Sequence, residues 1–308
     1  MTETIGAPRS DIDFAQTFQI EGQDVRGRLV RLGPALDQVL TAHGYPDVVS
    51  NMLAETLVLA ATLASALKYE GIFTLQTQSD GPISLLVADV TSDGALRGYA
   101  RFDADRVAEA ETRNGAPVPR LLGQGHLAFT VDQGADMDRY QGVTELDGAT
   151  LAECAHHYFR NSEQLDTAIY IAARTRRARG EKSVAGALMV QRMPHGKSVD
   201  PTDAEDAWRR AVAILASLTD DELLDSGLDH DQLLFRLYHE DGVRAHAAQA
   251  LFHRCRCSRD KVANTLKSFP RAEIIDQDGH VGVVCEFCKS AYAFAPDELD
   301  RLFGATDA

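Results

Sequence analysis

The sequence predicts an α+β fold in which a large amino-terminal domain of antiparallel sheets packed with helices is followed by a helical linker and a small carboxy-terminal domain. Three observations carry that prediction. Strand-like runs with hairpin signals recur among helices through residues 11–195, and short amphipathic helices with an acidic surface fill 196–243. Four of the five cysteines then crowd into 244–308. A chain of 308 residues suits one large domain plus a smaller one.

In chain order, Phe18 to Ile20 and Val25 to Val30 carry the short apolar runs expected of strands. Pro34 to Ala42 and Pro46 to Lys68 are expected helices, the second long and rich in alanine and leucine. Strands follow at Ile72 to Thr77, Ile83 to Val90 and Leu96 to Phe102, with Ser92-Asp93-Gly94 as a hairpin turn. A strand at His126 to Val131, a helix from Thr150 to Ser162, and strands at Ala168 to Ala173 and Val184 to Gln191 complete the domain.

A boundary is expected at Met193-Pro194-His195-Gly196. Beyond it, Thr202 to Glu205 and Thr219 to Glu222 have the pattern of capping boxes. Trp208, Val212, Leu215 and Leu218 recur on one helical face, Leu223 and Leu224 lead to a stop at Gly227, and Asp231 to His239 carries Leu233, Leu234, Leu237 and Tyr238. Helices this short are unstable alone in water, so their order must depend on docking.

The formal net charge of -15 argues against a general attraction to nucleic acid or anionic membrane. The segment Met1 to Phe14 lacks the apolar core of a secretory signal, and Met52 to Leu67 is too short and too polar for a membrane span. A cytoplasmic protein with no membrane or nucleic-acid partner is expected. In that compartment clustered cysteines point to metal or redox chemistry before structural disulfides.

Cys255-Arg256-Cys257 and Cys285-Glu286-Phe287-Cys288 are two tight pairs separated by a long segment. Four thiolates on two short loops suit one tetrahedral zinc ion, so residues 244–308 are expected to form a zinc-binding domain. Such a cross-link closes a chain segment worth about 3–4 kcal/mol in loop entropy. A unit this small buries little core, so metal binding would supply much of its folding free energy. The Cys-x-Cys half is unusual for an inert zinc ribbon and points toward redox. Arg254, Arg256, Arg259, Lys261 and Lys289 flank the pairs and are expected to favour thiolate.

The order Arg-Cys-Arg-Cys-Ser at 254–258 and Val-Cys-Glu-Phe-Cys at 284–288, with Tyr292 and Phe294 after it, resembles the zinc centre of the 33-kilodalton heat-shock protein family. Ser79-Asp80-Gly81-Pro82, Arg97-Gly98-Tyr99-Ala100, Gly125-His126-Leu127-Ala128, Tyr140-Gln141-Gly142-Val143, Tyr158-Phe159 with Ser162-Glu163-Gln164, and Leu233 to Leu237 match in the same order. The resemblance spans nearly the whole chain. It implies a redox-regulated, ATP-independent holdase chaperone that binds unfolding client proteins, with one zinc ion held by Cys255, Cys257, Cys285 and Cys288 in an inactive reduced state. It further implies that oxidation pairs Cys255 with Cys257 and Cys285 with Cys288, releases zinc, unfolds the linker and gives a homodimer that hands clients to ATP-dependent foldases. Both such disulfides are local, so pairing of this kind would remove the long-range cross-link. Departures from the family pattern lie in an amino-terminal extension to Asp11 and in the acidic stretch Asp200 to Asp231.

Other signals carry less. Cys154 with His156 or His157 sits in a predicted helix and reads as a helix-face cysteine without assigned chemistry; His253 and His280 stand near the zinc motifs but are not needed as ligands. Gly196-Lys197-Ser198 lacks the glycine that a phosphate loop needs at position 191, Gly123-Gln124-Gly125 leads into a strand, and Ser65-Ala66-Leu67-Lys68 has no supporting motifs. No nucleophile, base and oxyanion donor come together, so no enzyme is expected. The alternatives to a holdase are an adaptor or nucleic-acid-binding protein with purely structural zinc, and a thiol oxidoreductase using Cys285 and Cys288.

Overall fold

Apolar side chains alternate along Phe14–Ile20 (β1) and Val25–Leu32 (β2), and both faces of the sheet they begin are covered. Phe14, Phe18, Ile20, Val25 and Leu29 join one buried cluster, whereas Ala15, Val30 and Leu32 join another. Successive side chains on a strand point to opposite faces, so each strand feeds two cores. The computed structural model describes residues 12–304 apart from 22, 135–136, 138, 176–179 and 194–200. The predicted boundary at 194–196 and the extension to Asp11 lie outside the described residues.

Pro34–Thr41 (α1) and Asp47–Ala64 (α2) follow, then Ile72–Ser79 (β3), Ile83–Thr91 (β4), Ala95–Phe102 (β5), Ala104–Glu111 (α3) and a π turn at Val118–Leu122. Gly125–Asp132 (β6), Tyr140–Glu145 (β7), Leu151–Tyr158 (α4), a second π turn at Phe159–Glu163, Thr167–Arg174 (β8) and Val184–Arg192 (β9) complete the two-sheet body. The hairpin turn between β4 and β5 falls where predicted, with Gly94 at φ 92°. The long helix ends four residues before Lys68, and the helix predicted to Ser162 stops at Tyr158, where π turns take over. The sequence reading passes over α3 and β7. In α3 the mean hydropathy is low and only Val107 and Ala110 are buried; β7 has a single fully buried residue, Gly142.

The first sheet has the order β10-β1-β2-β9-β8, and β11 also pairs with β1; the second has the order β12-β5-β4-β3-β6-β7. Their late strands are Val243–Ala245 (β10), Gln249–Ala250 (β11) and Phe252–His253 (β12). All pairings in these two sheets are antiparallel except β12 with β5. Helix α2 packs against strands of both sheets, and fourteen of its 18 residues are buried. Its length and composition would suit a membrane span, but here it is the core helix. Leu57 is fully buried in this core. Leu57→Ala is expected to lower the stability of the body by about 2–5 kcal/mol in denaturant unfolding, with metal affinity unchanged.

The outer face of the first sheet is covered by Pro201–Ala216 (α5), Asp220–Leu224 (α6) and His230–Tyr238 (α7). These are the predicted linker helices. Thr219 forms its capping box with Glu222, but α5 already begins at Pro201, so Thr202 lies inside the helix rather than at its cap. The buried stripe of α5 is Ala204, Ala211 and Leu215, with Trp208 partly buried and Leu218 buried just beyond the helix end; Val212 falls beside the stripe, because Ala211 takes the sheet-facing position. Linker acids find partners on the body: Arg192 meets Glu205 at 2.7 Å, the Tyr170 hydroxyl donates to Asp220 at 2.6 Å, and Arg174 meets Asp221 at 2.6 Å. Each is solvent-exposed on at least one side and contributes little to stability.

The chain divides into two compact units between His253 and Arg254. Residues 244–253, which the sequence reading places in the terminal domain, pair with β1 and β5 of the body instead. Backbone ladders therefore hold them to the first unit. The second unit contains Arg259–Leu266 (α8), Arg271–Ile274 (α9), a hairpin of Val281–Val284 (β13) and Ala291–Phe294 (β14), and Pro296–Phe303 (α10). Its fully buried core is Leu266, Val281, Phe294 and Leu299.

Candidate metal centre

Each cysteine pair sits at the edge of an ordered element in the terminal unit. Cys255 and Cys257 precede Ser258, whose hydroxyl accepts the Lys261 amide at 3.2 Å and starts α8. Cys285 and Cys288 occupy the turn between β13 and β14. There the Cys285 amide donates to the Ser290 carbonyl at 2.9 Å, and the Lys289 amide donates to the Cys285 carbonyl at 2.8 Å. Lys289 takes a left-handed backbone with φ 58° to close the turn.

All four sulfurs lie within 4.8 Å of one another. Cys255 Sγ is 3.4 Å from Cys257 Sγ and 3.8 Å from Cys285 Sγ, and Cys257 Sγ is 3.4 Å from Cys288 Sγ. Ligands about 2.3 Å from a tetrahedral zinc ion stand about 3.8 Å apart, so these sulfurs fit the vertices of such a site. The sequence-predicted ligands are thus brought together, and the four-cysteine cluster is positioned to hold a metal ion. Neither His253 nor His280 belongs to it.

Without a cation the thiols of Cys257, Cys285 and Cys288 are unevenly poised. Burial, and then the neighbouring thiols of Cys288, Cys255 and Cys285, push the Cys257 thiol up to about 12 against a hydrogen bond from Tyr292. Burial also raises Cys285. At Cys288 burial opposes ionisation, but hydrogen bonds from the Ser290 side chain and backbone and from Cys257 and Cys255 outweigh it and bring the thiol down to about 6. Four adjacent thiolates repel one another, and a divalent cation is the species that lets them coexist.

The cations flanking the motifs serve the fold. Arg259 donates to the Ala293 carbonyl at 2.8 Å and pairs with Glu298 at 2.7 Å, with its guanidinium carbon 4.3 Å from the Phe294 ring centre; Lys261 donates to the Arg256 carbonyl at 2.9 Å. The expectation that Arg259 and Lys261 act on the thiolates is thereby corrected. Arg259 ties α8 to β14 and α10, and Lys261 ties α8 to the loop before it. Tyr292, quoted only as a motif residue, proves to be a neighbour of the cluster, its hydroxyl donating to Cys257 Sγ at 3.0 Å.

Cys154 is fully buried on α4, and burial, then Glu153 and Asp147, push its thiol up to about 11. Burial and these acids keep the thiol protonated, the form that is the weaker nucleophile. Asp229, His230 and Asp231 also bring ligand atoms together. Asp229 is the cap of α7, accepting the Asp231 and Gln232 amides, and Asp231 accepts from Gln16 at 2.9 Å.

The fold and the site define a two-unit protein in which an α+β body with docked helices is followed by a four-thiol metal-binding module. The family model described as Hsp33 protein matches residues 13–295. A 33 kDa chaperonin of Caulobacter vibrioides is 43% identical over 291 residues, covering 92% of this chain and 95% of that protein. One from Ectopseudomonas mendocina is 38% identical over 296 residues, covering 94% and 95%. The crystal structure of a 33 kDa chaperonin from Thermotoga maritima gives a TM-score of 0.77 at 22% identity, over 94% of this chain and 98% of that one, which is a likeness of fold. The chain belongs to the Hsp33 family.

Proposed function

We propose that this protein is a redox-regulated, ATP-independent holdase of the cytoplasm that binds unfolding proteins and keeps them from aggregating. The observation that carries the reading is the pairing of a compact four-thiol centre with three short helices held on an apolar sheet face. Zinc is the metal proposed, one per chain, on Cys255, Cys257, Cys285 and Cys288. When bound it would supply a cross-link between the two cysteine loops and keep all four thiols ionised.

Oxidation of Cys255 with Cys257 and of Cys285 with Cys288 would form two disulfides. Each pair of thiolates gives up two electrons to one peroxide, which takes two protons from solvent and leaves as two waters, and the metal ion loses its ligands. No thiolate then remains for the metal, and neither disulfide joins the two loops. A unit whose fully buried core is four residues cannot hold its fold on packing alone. Residues 243–253 run from the end of the linker into Arg254, so release of the terminal unit would loosen the β10–β12 pairings and with them α5–α7. The cluster of Phe14, Phe18, Leu188 and Val190 beneath the helices would then face solvent. The oxidised chain is further expected to dimerise and to pass clients to ATP-dependent foldases.

The cross-motif contact of Cys257 with Cys288 is as short as that of Cys255 with Cys257, so the pairing is itself a matter for peptide mapping. The test treats zinc-loaded protein with peroxide at a mildly unfolding temperature and follows zinc release and light scattering of an unrelated aggregating protein. Zinc departure together with suppressed scattering is expected. Zinc departure without suppression would defeat the holdase reading, and multiple turnovers of disulfide exchange would replace it with an oxidoreductase.

A further inference from the structure

Arg31 is fully buried near the end of β2, on the face that carries Val25 and Leu29 toward the linker helices. Its guanidinium reaches into the α6–α7 junction. Nε donates to the Leu223 carbonyl at 2.7 Å, Nη1 to the Leu228 carbonyl at 2.5 Å, and Nη2 to the Glu222 carbonyl at 3.1 Å. The last carbonyls of a helix lack partners within it and form the negative end of its dipole. One guanidinium therefore satisfies the carboxy-terminal end of α6 and the loop that follows.

The strand beside β2 supplies the matching space. Arg31 pairs in register with Gly186 of β9, so the two positions lie side by side on one face. A Cβ at Gly186 would come within 2.7 Å of Leu223 Cγ and 3.1 Å of its Cδ1. Leu223 itself is fully buried. Its side chain occupies the place left open by Gly186 while its carbonyl is gripped by Arg31.

We propose that Arg31 and Gly186 form a socket for Leu223 that positions α6 on the sheet and sets how readily the linker leaves it. This deepens the reading of the linker as the switching element and rests on it for its consequence in chaperone activity. A helix of five residues has no stability of its own, so α6 depends on what receives it. The ion pair that also joins α6 to the sheet, Arg174 with Asp221, is exposed on the linker side and weakens with salt. Of the Arg31 hydrogen bonds, the one to Leu223 is buried and the other two are half-buried, so they are screened less. The socket thus makes docking resistant to ionic strength.

The test uses the full-length, zinc-loaded, reduced protein and compares wild type with Arg31→Met, Arg31→Lys and Gly186→Ala by amide hydrogen exchange at low salt and at about 1 M salt. In Arg31→Met, amides of residues 220–238 should exchange about tenfold faster or more, because one buried and two half-buried carbonyls lose their donor. Amides of β3–β6 should be unchanged, zinc should stay at one per chain, and high salt should widen the difference from wild type. Arg31→Lys should fall between the two, and Gly186→Ala should loosen the same residues by displacing Leu223. Unchanged protection of 220–238 in Arg31→Met, or an equal loss throughout β3–β6, would overturn the socket. Should Arg31→Met not fold, the Lys and Gly186 variants decide by the same criteria. Anti-aggregation activity of the reduced variants separates the two levels: helices released without activity support the socket and contradict the chaperone reading.

Discussion

Cys288→Ser is expected to unfold the terminal unit while leaving the two-sheet body intact. The serine hydroxyl cannot act as the fourth thiolate, and the loss of a direct ligand should exceed the roughly 10–100-fold that outer hydrogen-bond partners contribute to metal affinity. Structural zinc supplies about 10–16 kcal/mol to small folds, whereas among the described residues of this unit only Leu266, Val281, Phe294 and Leu299 are buried. Competition with a chromophoric chelator should show affinity falling by more than about 100-fold, and hydrogen exchange should show residues 254–304 losing protection. Cys154→Ser is the control, since the Cys154 thiol is buried on α4 of the first unit and is not one of the clustered thiols. It should leave metal affinity unchanged. Wild-type affinity in Cys288→Ser would exclude the four-ligand assignment.

The second large effect is expected from the linker side. Leu233 of α7 is fully buried in the cluster that α5–α7 share with the first sheet. Leu233→Asp would bury a carboxylate among Phe14, Phe18 and Tyr238 in that cluster, a cost of several kcal/mol unless the helix leaves. Leaving is the cheaper outcome, because α7 spans nine residues and is held by tertiary contacts. The variant should bind a hydrophobic dye strongly and suppress client aggregation under reducing conditions, with one zinc still bound. Tight helices and no dye binding would show that docking is not the weak point of the fold.

Much of this was legible in the sequence, for identifiable reasons. The four cysteines declare themselves because metal-ligand chemistry is carried by residue type and spacing. The linker helices follow from apolar periodicity, and their dependence on a surface follows from their length. What could not be read was the arrangement in space. Arg31 falls on an alternation Val25, Gly27, Leu29, Arg31, so its place on an apolar face was visible, but its partners lie almost 200 residues away in the chain. Gly186 gives the same lesson: a glycine inside a predicted strand signals a close approach, and only the fold reveals that Leu223 makes it. The β7 strand escaped notice because an edge strand with one buried residue has little apolar pattern to offer. Residues 244–253 were drawn toward the cysteines by proximity in sequence, whereas their backbone pairs with β1 and β5.

The central claim is that oxidation of the four thiols detaches helices that lie in the other compact unit. Hydrogen exchange on the zinc-loaded protein before and after peroxide, with zinc release recorded in the same samples, tests it most directly. The account predicts that α5–α7 lose protection in step with zinc release while β3–β6 keep theirs. Full zinc release with α5–α7 still protected would contradict it.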